Sequence, residues 1–365
     1  MRVLFLALIL LFTTCKQAQN ASVDKNKIKT QSIDDFSKLL KRVPKQSILA
    51  QEGYYVWGGS VVKGDDGFYH MLYSRWLKSY GFEAWVTHSE IAHAISKTPE
   101  GPFTFVDVAL QARGKTYWDG LTTHNPTVYK FEGKYYLYYM GTTGDGKVMP
   151  TLNFIHRNNQ RIGVAWANSP NGPWNRFDKP VIDVSEDPQA YDALMVSNPS
   201  VTKMKDGRIL LIYKAVARHN PLPFGGPVTH LASVSDNPLG TFKKFEAPIF
   251  YKEGEKFPAE DPYIWYQESA DQYYAIVKDM EGAFTNAGTS LALFKSNDGF
   301  DWQPAENALV SKIQIEWEDG TLQKLNRLER PQILLEDGSP KMLYCAAMYN
   351  GETVNVHMSL VNLEK

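Results

Sequence analysis

Short aromatic or β-branched runs, each preceded by a turn, recur along most of the chain. Ile209–Tyr213 follows the turn Asp206-Gly207, and Tyr135–Met140 follows Glu132-Gly133. Runs of this length between Gly- and Asp-containing turns are typical of strands joined by hairpins. The pattern therefore predicts a body made of β-strands.

A short element recurs five times ahead of these runs. Its copies begin Trp57-Gly58-Gly59, His124-Asn125-Pro126, Ser197-Asn198-Pro199, Glu260-Asp261-Pro262 and Glu329-Arg330-Pro331. Each copy opens a unit of roughly 63–73 residues that reads as a meander of three to four strands. A single meander cannot bury both of its faces, whereas radial packing of several sheets does. We predict an all-β, five-bladed β-propeller, with a β-sandwich as the alternative.

The start of the chain reads as an export signal. Met1-Arg2 precedes an apolar run from Val3 to Phe12, which is too short to span a bilayer. The run ends at Cys15, which resembles a bacterial lipoprotein processing site; the alternative is an ordinary cleaved signal. We expect residues 1–15 to be the signal peptide, 16–48 a tether and N-terminal segment, and 49–365 the propeller domain. The protein is then periplasmic or an outer-membrane lipoprotein, attached to membrane only through a lipid on Cys15.

Composition removes several classes of function. Of the 365 residues, 43% are hydrophobic and 22% charged, which argues against a disordered chain. The net charge of −1 gives no general attraction to nucleic acid. Two cysteines cannot build a disulfide scaffold, and Cys345 lies in a strand pattern, where it is expected to be inert.

The first strand of each propeller blade lines the central channel, so the five repeated elements should meet at one mouth. Asp119 and Asp192 each lie five residues ahead of such an element. Carboxylates from several blades around one pocket are what glycoside cleavage requires, since one must be protonated and another ionised. The alternative is that these aspartates only accept backbone hydrogen bonds in turns.

Further polar and aromatic residues belong to the same expected mouth. Lys214 and Lys278 end second strands, where they either bind an acidic group on a sugar or pair with carboxylates such as Glu260. Trp57, Trp76, Trp85 and Trp118 either stack on a sugar ring or pack in the core. The expected substrate-binding set is Trp57, His124, Asn125, Asn198, Lys214, Asp261, Lys278, Glu329 and Arg330. No cofactor is required, although His124 and nearby carboxylates are a possible ligand set for a divalent cation.

The repeats, which cover roughly residues 50–362, resemble the five-bladed glycoside hydrolases of family 43 and relatives such as family 117. Ala259-Glu260-Asp261-Pro262 resembles the family-43 segment whose Glu is the general acid, which implies that role for Glu260. Family 43 carries its general base as an Asp on the first blade, where this chain has Trp57-Gly58-Gly59. A second family Asp aligns with Asn125. The base is therefore expected at Asp119 or Asp192, unless the mechanism differs or the protein only binds sugar.

These observations predict an exported glycoside hydrolase. Its expected substrate is an oligosaccharide cleaved from the non-reducing end, with anionic algal or plant fragments as candidates. A non-catalytic surface glycan-binding propeller is the first alternative. A phosphorylase, with Lys214, Lys278 and Arg330 around phosphate, is the second.

Overall fold

The computed structural model describes residues 33–361. The expected signal peptide, Cys15 and the first half of the tether lie outside these residues. Within them, no helix is long and apolar enough to cross a membrane.

The strands alternate with tight turns along the chain, as the sequence predicts. In chain order they are β1 (Ile48–Leu49), β2 (Tyr54–Lys63), β3 (Tyr69–Leu77), β4 (Glu90–Ser96), β5 (Thr104–Leu110), β6 (Thr122–Phe131), β7 (Lys134–Thr142), β8 (Arg161–Ala167), β9 (Asn175–Arg176), β10 (Met195–Lys203), β11 (Ile209–Val216), β12 (Val228–Ser235), β13 (Lys243–Lys244), β14 (Ala259–Gln267), β15 (Gln272–Asp279), β16 (Ser290–Ser296), β17 (Gln303–Lys312), β18 (Gln314–Glu316), β19 (Leu322–Lys324), β20 (Arg327–Glu336), β21 (Ser339–Tyr349) and β22 (Glu352–Ser359). The helices are short: α1 (Trp85–His88), α2 (Phe154–Asn158) and four 3-10 turns at Ile33–Leu39, Lys78–Tyr80, Phe82–Ala84 and Glu268–Ala270.

Five antiparallel four-stranded sheets form the blades. Blade 1 is β2–β5, blade 2 is β6–β9, blade 3 is β10–β13 and blade 4 is β14–β17. Blade 5 is β20–β22 with β1 as its outer strand, while β18 and β19 form a separate hairpin. The predicted five-bladed β-propeller is confirmed.

Blade 5 draws its outer strand from the start of the chain. Ile48 pairs with Val356 and Leu49 with Asn355, so β1 runs antiparallel to β22. This explains why the fifth repeat lacks the additional turn and strand of the other four. The pairing joins residues about 300 positions apart and closes the ring of sheets.

The core lies between neighbouring sheets. Phe103, from the outer turn of blade 1, packs edge-on against Tyr344 of blade 5 at a ring distance of 6.5 Å. Phe242 of blade 3 packs the same way against Tyr138 of blade 2, also at 6.5 Å. Each outer turn therefore covers the edge of the preceding blade, and this packing fixes the positions of the inner strands.

The inner strands share one irregularity. Each breaks register in its repeated element, as between His124 and Thr127 in blade 2. One residue in each break has a positive φ of 51–57°, and these residues are Gly58, Asn125, Asn198, Asp261 and Arg330. Asn and Asp tolerate this left-handed conformation, whereas Arg rarely adopts it. The five breaks set the second residue of every repeated element at the central channel.

Candidate active site

Five residues at equivalent positions form a ring around the channel, which we call the channel ring: Gly58, Asn125, Asn198, Asp261 and Arg330. Asn125 Nδ2 donates to Asn198 Oδ1 over 2.8 Å, and Asn198 Nδ2 donates to Asp261 Oδ1 over 2.6 Å. Asp261 also accepts from the backbone N–H of Arg330 at 3.3 Å. These hydrogen bonds link side chains of blades 2, 3 and 4 to the backbone of blade 5.

A small pocket opens above the channel ring. Its volume is about 130 Å³, and its lining residues are Trp57, Trp76, Phe82, Trp85, His124, Asn125, Asn198, Lys214, Glu260, Asp261, Arg327, Glu329 and Arg330. Blade 1 supplies an aromatic wall of Trp57, Trp76, Phe82 and Trp85. Within it, Phe82 packs edge-on against Trp57 with ring centres 5.5 Å apart. The Trp76 indole N–H donates to the carbonyl oxygens of Gly81 and Phe82, at 3.3 and 3.1 Å, which holds the loop carrying Phe82 against the pocket.

Two glutamates from neighbouring blades share one lysine at the pocket. Lys278 Nζ lies 2.6 Å from Glu329 Oε1 and 3.9 Å from Glu260 Oε2. Since both distances start at one nitrogen, those two oxygens are no more than about 6.5 Å apart, an upper limit that includes the ~5–5.5 Å of retaining glycosidases and reaches only the lower end of the ~6.5–9.5 Å of inverting ones. Glu260 also accepts from Lys214 at 2.7 Å, and Arg327 lies 3.3 Å from Glu329.

The pKa values of two adjacent carboxyl groups, those of Glu260 and Asp261, are shifted in opposite directions. Burial by itself raises the pKa of Glu260, but Lys214 and Lys278 outweigh burial and lower that pKa to about 2. Burial and the nearby Glu260 raise the pKa of Asp261 to about 6, against the opposing effect of Arg330. Glu260 is therefore ionised at neutral pH, while Asp261 takes up a proton in weakly acidic solution.

His124 contributes a neutral ring to the pocket. Burial, reinforced by Arg330 and Lys214, lowers its pKa well below the usual value. Its Nδ1 is 2.7 Å from Ser89 Oγ, and its ring packs against Trp76 and Trp85 with centres 5.7 and 5.1 Å apart. One nitrogen of a neutral imidazole donates a hydrogen bond and the other accepts one, so this ring can bind a hydroxyl group.

Asp119 and Asp192 do not reach the pocket, so the expectation that they join Glu260 there is wrong. Asp119 is fully buried and binds Arg113 Nε at 2.7 Å, Tyr139 OH at 2.7 Å and Arg176 Nη1 at 3.3 Å. The Asp192 carboxylate accepts from Tyr213 OH at 3.1 Å and Lys244 Nζ at 2.6 Å.

The physical reason lies in the chain segments that carry these aspartates. Both precede an inner strand, in loops that pack against the second and outer strands of their own blades rather than at the channel mouth. Their cationic and phenolic partners stabilise the loops. The structure thus assembles no acid–base pair from Asp119, Asp192 and Glu260.

Eight of the nine expected substrate-binding residues do line the pocket: Trp57, His124, Asn125, Asn198, Lys214, Asp261, Glu329 and Arg330. The ninth, Lys278, is buried and contacts the two glutamates without lining the pocket. Trp118 lies elsewhere and stacks on Tyr139 with ring centres 5.6 Å apart. Within residues 33–361, no three His, Cys, Asp or Glu side chains are grouped as metal ligands.

Sequence reasoning missed two lining residues, Phe82 and Arg327. Phe82 belongs to the loop after β3, outside the repeated element. Arg327 lies two residues ahead of Glu329, where the other repeats carry no charged residue, so comparison of the repeats gave no signal.

Comparison with solved structures relates this architecture to known enzymes. One match is BT0996 in a complex with RGII, with a TM-score of 0.67, 15% identity, and coverage of 90% of this protein and 93% of the other. A second is Zg3597, a family 117 glycoside hydrolase from the marine bacterium Zobellia galactanivorans, with a TM-score of 0.60, 16% identity and coverage of 90% and 91%. A third is a thermostable family-43 glycoside hydrolase, with a TM-score of 0.58, 12% identity and coverage of 88% and 96%.

This chain has the fold of the five-bladed glycoside hydrolases. The structural neighbours include both families that the sequence resembles, family 43 and family 117. No family model matches the chain. No curated protein matches it either. At identities of 12–16% the likeness concerns the fold, so the chemistry has to be argued from the pocket.

Proposed function

We propose that the protein is an exported glycoside hydrolase that removes a sugar from the end of an anionic glycan. Glu260 and Glu329 are the two carboxylates that flank the scissile bond. The observation that carries this proposal is the position of Lys278 Nζ, 3.9 Å from Glu260 and 2.6 Å from Glu329, beside a pocket with an aromatic wall. A glycosidase requires two carboxylates close to the scissile bond.

The low pKa of Glu260 supports an anionic role. A carboxyl group with a pKa of about 2 has lost its proton at any physiological pH, so Glu260 is suited to attack the anomeric carbon or to activate water. We therefore assign Glu329 as the proton donor to the leaving oxygen. This reverses the role that the sequence resemblance implies for Glu260.

The size of the pocket supports action at a chain end. Its volume of about 130 Å³ is well below the ~300–1,000 Å³ of sites that enclose drug-sized ligands. The channel ring closes its floor, since Asn125, Asn198, Asp261 and Arg330 are all buried there. Such a pocket admits the terminal unit of a glycan and leaves the rest of the glycan outside.

Arg327 supports an acidic substrate. Its side chain is 43% exposed, and its contact with Glu329, at 3.3 Å, is the longer of the two cation contacts of that carboxylate. A guanidinium group in this position offers paired donors to a sugar carboxylate or sulfate. Binding of such a group would draw Arg327 away from Glu329 and leave Lys278 as the cation in contact with that carboxylate.

One observation favours a second function, a glycan-binding propeller without catalysis. Each carboxylate at the pocket mouth already has a cationic partner, and the first-blade slot of the family-43 base holds Gly58. A binding protein needs hydrogen-bond partners and an aromatic wall but no free acid.

Kinetics on substrates with different leaving groups test the proposed roles. The wild-type protein is screened against neutral, uronate-containing and sulfated oligosaccharides and against aryl glycosides of the released sugar. Glu260→Gln should lose activity on every substrate, by about 10²–10⁴-fold or more. Glu329→Gln should lose it on natural glycosides but retain it on aryl glycosides whose leaving group needs no proton. Binding without cleavage by the wild type would instead support the second function.

A further inference from the structure

Two loops beside the pocket expose an unusual number of large apolar side chains. They are the β7–β8 loop, with Val148, Met149 and Ile155, and the β11–β12 loop, with Leu222 and Phe224. Phe224 is 65% exposed and Leu222 62%. We call these five residues the apolar rim. Soluble proteins rarely expose large apolar residues as a group, and where they do, the group usually marks an interaction surface.

The apolar rim lies on the same face of the propeller as the pocket. Thr142, where β7 ends, pairs with Thr122 at the start of β6, and Val216, where β11 ends, pairs with Met195 at the start of β10. Since the inner strands start at the pocket mouth, both loops emerge there.

One contact and one charge interaction relate the loops of the rim to the pocket. Helix α2, which lies in the β7–β8 loop, contacts α1, which carries Trp85 of the aromatic wall. Arg157 of α2 is close enough to Glu260 for the two charges to interact. The loops that carry the rim thus lie near the pocket, on the side of blades 2 and 3.

The structure holds the rim in place although it is exposed. Arg157 Nη1 donates to the carbonyl oxygen of Phe224 at 2.9 Å, and Asn158 Nδ2 donates to that of Pro223 at 3.0 Å. The Phe224 ring packs edge-on against Phe154 with centres 4.9 Å apart. A fixed aromatic ring binds a partner at a lower entropic cost than a mobile one.

We propose that the apolar rim is a second sugar-binding subsite, which holds the glycan units on the leaving-group side of the bond that is cut. This inference rests on the proposed function, because a pocket of about 130 Å³ leaves those units outside. Phe224 supplies a face for the C–H groups of a sugar ring. Arg157 Nε and Nη2 make no hydrogen bond to any residue between 33 and 361, so they remain available for hydroxyl or carboxylate groups of the glycan.

Binding as a function of glycan length tests this subsite. Calorimetry is performed on the full-length protein with oligogalacturonides and oligoguluronates of one to six units, comparing the wild type with Phe224→Ala. Tyr251→Ala is the matched control, because Tyr251 is exposed to a similar degree, 57%, and lies outside the pocket and the rim. We expect wild-type affinity to rise from one to three units. Phe224→Ala should weaken binding of the longer oligomers roughly threefold to tenfold and leave binding of the single unit unchanged.

The outcomes separate the subsite from the proposed function. A wild-type protein that binds none of these oligomers, and cleaves none in the wider screen, overturns both. Wild-type affinity that does not rise with length, or that Phe224→Ala leaves intact, overturns the subsite alone. Sedimentation with vesicles of phosphatidylethanolamine and phosphatidylglycerol addresses a lipid partner: wild-type binding that Phe224→Ala abolishes assigns the rim to a membrane surface and overturns the glycan subsite.

Discussion

The side chain of Arg330 occupies the space beside the α-carbon of Gly58. A β-carbon at Gly58 would lie 3.2 Å from Cγ and 3.3 Å from Cβ of Arg330, and Gly58 has a φ of +57°. Arg330 is almost completely buried, and its guanidinium lies 3.5 Å from Asp261. Blade 5 thus fills the channel position that blade 1 leaves empty.

Replacement of Gly58 should therefore cost more than replacement of a free turn glycine. Gly58→Ala adds the strain of a left-handed alanine, about 1–2 kcal/mol, and a close contact with Arg330. Gly67→Ala carries the same kind of strain at φ +84°, but its β-carbon would meet nothing within 4 Å. Chemical denaturation of both variants isolates the contact. Equal losses of stability would mean that Arg330 moves aside without cost.

Asp119 should prove to be a stabilising residue rather than a catalytic one. Asp119→Asn leaves Arg113 and Arg176 without their shared buried partner, so the free energy of unfolding should fall by about 3–5 kcal/mol. Asp178→Asn removes an exposed partner of the same Arg113 and should cost less than about 1 kcal/mol. Folded Asp119→Asn should keep the glycan affinity of the wild type. If Asp119→Asn loses activity while its stability is unchanged, Asp119 has a catalytic role instead.

Asp261 should make stability depend on pH in weakly acidic solution. Its pKa is about 6 in the folded protein and ~3.9 in the unfolded chain, so between these values the folded state binds more protons. The free energy of unfolding should then decrease as pH rises from about 4 to 6, by about 2–3 kcal/mol from this group. Asp261→Asn should lose that slope, and Asn suits the position, since Asn125 and Asn198 occupy equivalent ones. Denaturation at a series of pH values measures the slope, and an unchanged slope in Asp261→Asn would contradict the assignment.

Lys214 should set the acid limit of activity. Lys214 is the first of the cations that keep the pKa of Glu260 low, so Lys214→Met should raise that pKa. The acid limb of kcat/KM should move to higher pH by about one unit or more. Lys205→Met is the control, because Lys205 pairs with Asp271 at the surface. If the acid limb of kcat/KM does not move, Glu260 is not the group whose titration sets it.

The fold could be predicted from the sequence because each blade repeats the same local signals. Turns such as Asp206-Gly207 and the element around Asn198-Pro199 act within a few residues, so they are visible without a structure. The repeated position also placed Asn125, Asn198, Asp261 and Arg330 at one mouth, since a propeller converts equivalent positions into neighbours in space. The role of β1 was not visible, because Ile48-Leu49 has no repeat to match and pairs with the far end of the chain.

The chemistry was less predictable than the positions. Asp119 and Asp192 precede inner strands by equal distances, yet loop packing directs them to Arg113 and Lys244 instead of the channel. The ionisation of Glu260 depends on Lys214 from blade 3 and Lys278 from its own blade, and a local motif does not contain this information. Arg327 was missed because its importance comes from the pocket it borders rather than from a repeat.

The pairing of β1 with β22 sets the order of events during synthesis. Ile48 leaves the ribosome about 300 residues before its partner Val356, so the ring stays open until Val356 has been made. Until then β1 is without its partner strand, and an unpaired strand edge is where chains associate wrongly. A protein of this design is therefore vulnerable to aggregation for as long as the ring is open, and the pairing of β1 ends that exposure.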